Sequence, residues 1–502
     1  MLTIVWVMPA VGALLAACGG VRWRVAAPIS AAAALGVSLA LWTHAGQIFT
    51  SIRWITASGL DIRYALGLSG LSLLLICLTL LLTVIAGIAG WSLGPSFLAW
   101  INVLGASATG LFLARDFVLF YLFWEAMLVP TYFLLVGWGG TGRRAAAWKF
   151  LVYNVGGSLF LLAGIAALVA FGVVMPGQRV STVALGSGAT LVGLALFVGF
   201  AVKTPLWPVH GWVADTYAEL PAPAAALVAG VQSKAGLYGM LAILLPVLPQ
   251  AATALAPLMI AVGVVSIFYG AFAALASHDP RRLLARSSVS HLGLIMVAIV
   301  TLRSVALTGA VVQMITHGLV TAGLFLVVGI LEQRLAGAIR LQGFRGLATQ
   351  APALAGALML LGMASLGLPG LGGFPGELLM VVGIYRRSVL LAVLAVMGLV
   401  LSAAYMLRLI QLVLHGPSEG LGSVRDLGRM DRVVLVPLAG LLLLIGLWPK
   451  PLPAEAAISV QQALSTRHVV AQVDQSGYAR PRRRVGRGLG SELQLDVQEA
   501  TK

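Results

Sequence analysis

Four charged side chains stand inside apolar stretches of this sequence, where a charge is hardest to keep. Glu125 lies in Asp116-Phe-Val-Leu-Phe-Tyr-Leu-Phe-Trp-Glu125, and Lys203 closes another apolar run. Lys234 follows Pro221-Ala-Pro-Ala-Ala-Ala-Leu-Val-Ala-Gly-Val-Gln232-Ser233, and Glu377 sits in Gly376-Glu377-Leu378. A charge at the centre of a bilayer costs at least ~2.5–3.5 kcal/mol, so four unpaired ones would cost on the order of 10 kcal/mol. Such residues mark ion or proton paths by default; the plainer alternative is a buried ion pair that only fixes packing. The chemistry on offer is a proton relay. A buried Lys has a proton affinity that depends on how near a carboxylate stands. Moving Glu125 relative to Lys203 would load or unload that Lys, which could pass a proton to Lys234 and on to Glu377. Three histidines extend the row, because imidazole titrates near neutral pH. They are His210, His291 in Ser287-Ser-Val-Ser-His291, and His317 in Gln313-Met-Ile-Thr-His317. Each could instead be a packed hydrogen-bonding group.

The elements that must position these groups are membrane helices. Of 502 residues, 60% are apolar and 10% charged, where a soluble protein carries about 25% charged residues. Mean hydropathy is +1.00. The chain is therefore expected to be an all-α polytopic membrane protein. Strand-rich barrels are excluded, because the apolar runs are continuous rather than alternating. Fourteen runs reach the ~17–25 residues needed to span. Glu125 falls nine residues into its run, about 14 Å deep at 1.5 Å per residue, near the midplane of a ~30 Å core. Lys234 is at a similar depth.

Two runs are interrupted in a matching way. The seventh ends in Lys203-Thr-Pro205-Leu-Trp-Pro208-Val-His210, and the twelfth runs into Leu368-Pro369-Gly370-Leu-Gly372-Gly373-Phe-Pro375-Gly376-Glu377. Proline removes a helix hydrogen bond, and the freed carbonyls must line a cavity or meet protein. Matching breaks are the sequence sign of an internal-repeat transporter, although two kinked structural helices would look the same. The expected organisation is three spans in 1–95, five-helix units in 96–250 (spans 4–8) and 251–415 (spans 9–13), a fourteenth helix in 416–450, and a polar Arg-rich tail in 451–502. The two five-helix units are read as inverted repeats.

The net charge is +16, carried by 27 Arg but only five Lys. Loops are decorated with Arg, so Lys203 and Lys234 inside apolar runs are not ordinary loop bases. Loops after odd-numbered runs hold fifteen bases and those after even-numbered runs seven. The positive-inside rule then puts both termini on the non-cytoplasmic side of the cell inner membrane. The basic balance reflects this bias and points to lipid, with no nucleic acid. Cys18 and Cys77 are isolated, and no metal, haem, Walker or dinucleotide motif is present, so no cofactor or metal is expected on this chain. Leu15-Ala-Ala-Cys18 resembles a lipoprotein box, but no base precedes the apolar run, and a first transmembrane helix is the better reading.

These motifs resemble a known family: the antiporter-like, proton-translocating subunits of NADH:quinone oxidoreductase (respiratory complex I), and among them subunit M, the counterpart of mitochondrial subunit 4. The resemblance is carried by Phe123-Trp-Glu125-Ala-Met-Leu-Val-Pro130, Lys203-Thr-Pro-Leu-Trp-Pro-Val-His-Gly-Trp212, Ser287-Ser-Val-Ser-His-Leu-Gly293 and His317-Gly-Leu, over roughly residues 60 to 450. Glu377 is similar to subunit M, where L-like and N-like subunits tend to carry Lys. The resemblance implies Glu125 paired with Lys203, Lys234 as central relay, His291 and His317 as relay groups, and Glu377 facing the exit. It also implies NADH, FMN, iron–sulfur clusters and quinone in partner subunits. The implied partners are L-like and N-like antiporter subunits and small membrane subunits. Multisubunit Na⁺/H⁺ antiporters and energy-converting hydrogenases are similar enough to compete. The sequence departs at Ser69, where relatives usually show Asp, at Arg286, where an aromatic is usual, and at Glu332-Gln333-Arg334, where the acid is shifted.

Overall fold

A computed structural model describes residues 1–57, 60–173, 175, 188–335, 346–416, 424–458 and 460. The Arg-rich tail beyond 460, and the loop bases Arg179, Arg340 and Arg345, lie outside the described residues. Among those described, eleven helices are long and apolar enough to cross a membrane. Two shorter apolar helices, Ala26–Ala40 and Ala189–Lys203, occupy the second and seventh runs. The pair Pro352–Ser365 and Gly373–Tyr385 shares the twelfth. The helical, many-span membrane fold expected from sequence is thus the fold observed, apart from one short ribbon.

Burial sorts the helices. Ala222–Val247, Pro280–Val300 and Ser304–Arg334 are each 94% buried over their most apolar window, against 22% for Arg429–Leu447 and 33% for Val389–Leu414. The three central helices carry Lys234, His291 and His317, so the polar chemistry sits at the centre and the apolar exposed faces outside. Close approach is bought with glycine: a Cβ on Gly309 would stand 2.9 Å from the Gly376 carbonyl, so the helix of His317 lies directly on the half-helix of Glu377.

One element was not anticipated. The stretch between the second and third runs, read from sequence only as a connecting loop, forms a two-stranded antiparallel ribbon, Phe49–Ala57 with Leu60–Gly67. It is tied to the start of the fifth span: Arg115 N donates to Ala65 O at 2.8 Å, and Arg63 N donates to Asp116 Oδ2 at 3.3 Å. The β-branched and aromatic residues of Phe-Thr-Ser-Ile-Arg-Trp-Ile-Thr were the available signal. Ser69, the departure from Asp, is the N-cap of Gly70–Ala89. Its hydroxyl accepts from Ser72 N while Ser72 Oγ accepts from Ser69 N. Serine caps helices about as well as aspartate, so Ser69 is sufficient for this cap.

Candidate functional site

The site begins on the fifth span. Asp116 caps it, accepting from Val118 N at 2.9 Å and Leu119 N at 3.1 Å. The helix Phe117–Ala126 then carries Glu125 into its last turn. Pro130 has no N–H for the Ala126 carbonyl, and the helix lapses at Met127 before resuming as Leu128–Trp138. The Thr131 hydroxyl bridges the gap, 2.8 Å from Met127 O and 2.9 Å from Gln232 Oε1. Glu125 is half-buried, and its Oε1 is buried without a hydrogen-bond partner.

Lys203 ends the helix Ala189–Lys203 and is 1% exposed. Its Nζ makes no hydrogen bond and lies 5.1 Å from the centroid of the Trp124 ring. That is cation–π distance, and the ring face supplies part of the attraction a carboxylate would otherwise give. Trp124 is fixed by its Nε1–H, which donates to Ser158 Oγ at 3.2 Å. Glu125 is within electrostatic reach of Lys203, but no ion pair within 4.0 Å joins them among the described residues. The implied pair is therefore held apart, with Trp124 beside the ammonium.

The eighth span is irregular around its lysine. Two π-helical turns, Val228–Gln232 and Met240–Leu244, flank the α-helical segment Lys234–Gly239. Such widened turns expose carbonyls, and Lys234 uses one. Its Nζ donates to Ala229 O at 2.6 Å, and Ser233 Oγ donates to the same oxygen at 2.8 Å. Lys234 is fully buried. Gln232 Nε2 next to it has no partner. A Cβ on Gly236 would lie 2.1 Å from Thr204 Oγ1 and 2.3 Å from Phe200 O. Glycine there lets the backbone of the eighth span rest on the break of the seventh, which brings the two lysine-bearing segments together.

Beyond Lys234 lie the two central histidines. The rings of His317 and His291 stand 5.4 Å apart, and Lys234 is within electrostatic reach of both. His317 Nε2 is 3.3 Å from Thr321 Oγ1, and its Nδ1 has no partner. His291 Nε2 lies 3.1 Å from both Ser402 Oγ and Tyr405 OH. His291 Nδ1 lies 4.0 Å from Glu377 Oε1. Glu377 is 6% exposed, at the start of Gly373–Tyr385, and its Oε1 accepts from Gln313 Nε2 at 3.3 Å. Gly367 (φ +65°) leaves room for the carboxylate at the break; a Cβ there would lie 2.0 Å from Glu377 Oε2 in its present rotamer.

Six of the seven candidates are thus gathered in two adjoining groups, Glu125 with Lys203, and Lys234, His317, His291 and Glu377. His210 stands aside, half-buried, its ring 4.6 Å from Tyr269 and its Nδ1 unpartnered. Gln232, Gln313, Thr321, Ser402 and Tyr405 were not singled out from sequence. Their signal was only that each is a polar residue within an apolar run. Among the described residues, no cluster of His, Cys, Asp and Glu has the grouping to hold a metal ion.

A charged layer closes one end of the helices. Asp215, on the short helix Val213–Glu219, accepts from Lys149 Nζ and from Arg282 at 2.7 Å each. Burial pushes its carboxyl up, but these two cations outweigh it and hold Asp215 below the usual carboxylate range. The Arg281 guanidinium binds the Glu332 carboxylate, with Nε 2.7 Å from each oxygen, and also donates to Leu220 O at 2.5 Å. The shifted acid Glu332 is thereby accounted for. It joins the tenth and eleventh spans to the end of the short helix after the Lys203 break.

In sequence and fold the chain is similar to known proteins of one family. Residues 114–402 match the family described as "NADH:quinone oxidoreductase/Mrp antiporter, TM". NADH-quinone oxidoreductase subunit M of Pseudomonas aeruginosa is 38% identical, covering 83% of this chain and 86% of the relative. Subunit M of Escherichia coli K12 is 35% identical, covering 86% of this chain and 90% of its own length. A chain in the structure of respiratory complex I from Thermus thermophilus with bound NADH superposes with a TM-score of 0.85 at 29% identity, over 93% of this chain and all of that one. A chain of the Mrp complex from a Dietzia species also reaches 0.85, over 94% of this chain and 98% of that one, but at 21% identity, a likeness of fold alone. On these matches the chain belongs to the family of NADH-quinone oxidoreductase subunit M, the antiporter-like membrane subunits of complex I.

Proposed function

We propose that this chain translocates protons as a membrane subunit of NADH-quinone oxidoreductase, and that Glu125, Lys203, Lys234, His317, His291 and Glu377 form its path. The observation that carries the reading is the continuity of the row. Two buried lysines lie on contacting segments at Gly236, and two imidazoles at 5.4 Å lead to a carboxylate 4.0 Å beyond. Unpartnered polar atoms line it: Glu125 Oε1, Lys203 Nζ, Thr204 Oγ1, Gln232 Nε2 and His317 Nδ1. A purely structural ion-pair core would have matched such atoms with each other.

In this reading Lys203 exchanges the Trp124 face for Glu125 in part of the cycle. Each exchange changes the lysine's hold on its proton. A change of two pKa units is about 2.7 kcal/mol, enough to move one charge against 100 mV, about 2.3 kcal/mol. Lys234 is the central relay, the two histidines carry the proton across, and Glu377 delivers it to the exit side. His210, half-exposed and near Lys149 and Arg286, stands at the mouth. The breaks after Lys203 and between Ser365 and Gly373 occupy corresponding places in two inverted units, 96–250 and 251–415. NADH, FMN, iron–sulfur clusters and quinone belong to partner subunits. L-like and N-like subunits and small membrane subunits are the neighbours in the membrane. The loop-base asymmetry supports an inner-membrane protein with both termini away from the cytoplasm.

The test is purification of the tagged chain from its native membranes in mild detergent, with an assay of NADH-driven quinone reduction. Flavin and iron–sulfur subunits, and inhibitor-sensitive activity, are expected to accompany it. Small antiporter subunits and sodium-dependent proton movement, or a nickel hydrogenase, with no NADH activity, would overturn the assignment.

A further inference from the structure

A groove of about 450 Å³ runs along the outside of the protein between Gly373–Tyr385 and Val389–Leu414. It is apolar throughout, walled by Val381, Val382 and Tyr385 on one side and Val393, Val396 and Met397 on the other. The turn that joins the two helices at its end carries Arg386 and Arg387, both exposed, and no ion pair among the described residues engages either. This is the base-poor face of the molecule, and no other two adjacent bases occur in its loops. Elsewhere on that face Arg63 pairs with Asp61, and Arg115 donates to Tyr238 OH.

We infer that the groove holds an acyl chain of an anionic phospholipid whose phosphate rests on Arg386 and Arg387. A hydrocarbon wall selects a chain, and two uncompensated guanidiniums select a net-negative head, since a zwitterionic lipid brings a cation of its own. A helix of a neighbouring subunit would fill the wall but would have to supply acids to the turn. Val381 is one helical turn past Glu377, so the bound chain braces the lipid side of the half-helix whose buried side carries that carboxylate.

The intact complex, reconstituted in phosphatidylcholine nanodiscs, is exposed to phosphatidylglycerol carrying a photoreactive group in one acyl chain, and the labelled peptides are mapped. Labelling at 381–397 is expected, with unlabelled phosphatidylglycerol competing far better than phosphatidylcholine. Replacing both bases (Arg386→Gln with Arg387→Gln) is expected to lower that preference about 30-fold, the weight two bases carry at an anionic lipid surface. Val393→Phe, which fills the groove and leaves the bases, is expected to abolish labelling there. Equal competition by the two lipids, an unchanged preference in the double variant, or cross-linking of Val393→Cys to a neighbouring subunit in place of lipid labelling would each overturn the inference.

Discussion

His291 on Pro280–Val300 and Glu377 on Gly373–Tyr385 face each other across a 4.0 Å gap, Nδ1 to Oε1. The gap is too long for a hydrogen bond and short enough to close with a side-chain rotation. The other imidazole nitrogen is already engaged by Ser402 and Tyr405, so the ring is oriented with Nδ1 towards the carboxylate. A relay needs this combination of a fixed ring and a closable distance.

Glu377→Gln keeps the shape and the contact with Gln313 but cannot carry a proton. Assembly is expected to be normal, while coupled turnover falls by roughly tenfold or more, the factor that one pKa unit of lost driving force already imposes. Native gels and proton uptake by sealed vesicles check the two halves of this statement.

Gly236→Ala tests the contact between the two lysine-bearing segments. The added methyl would meet Thr204 Oγ1 at 2.1 Å and the Phe200 carbonyl at 2.3 Å. Backbone must shift, at a cost of about 1–3 kcal/mol or more. The variant is expected to show lower thermal stability of the complex and impaired pumping, both measured on detergent-purified material.

Glu332→Gln leaves Arg281 bonded to a neutral amide in place of a bidentate carboxylate, at a cost of about 1.5–3 kcal/mol. The short helix Val213–Glu219 loses part of its tie to the tenth and eleventh spans. Faster hydrogen exchange over 213–220 is the expected signature.

Asp215 gives a pH dependence. Its folded carboxyl is held below the usual range by Lys149 and Arg282 against the opposing effect of burial. A depressed folded pKa means the contribution is fully present above the unfolded value of about 3.9 and is lost as pH falls through the folded one. Proteolytic protection of the Val213–Glu219 segment should therefore hold down to about pH 4 and fall below it. Asp215→Asn should be less protected at neutral pH and lose this dependence.

Much of this was legible in the sequence, and for identifiable reasons. Hydropathy alone marked the spans, because the bilayer demands long apolar runs. Glu125, Lys203, Lys234 and Glu377 stood out because a charge in such a run is costly. The break at Pro205 and Pro208 followed from the missing N–H groups. The π turns around Lys234 left no mark, since the same residues could equally build a plain α-helix. The ribbon 49–67 was hidden because its alternation is short and lies between louder apolar signals. Tyr405 and Ser402 could not be read as partners of His291, because they lie more than a hundred residues away. The separation of Glu125 from Lys203 was likewise invisible, since only the placement of the Trp124 ring reveals it.

In sealed native vesicles carrying Glu125→Gln, proton uptake and NADH oxidation would be measured together, after assembly is verified. A normally assembled complex that has lost most of its coupled turnover is expected, because Lys203 no longer has a carboxylate to exchange for the Trp124 face. Unchanged proton uptake per NADH, at an unchanged rate, would contradict it.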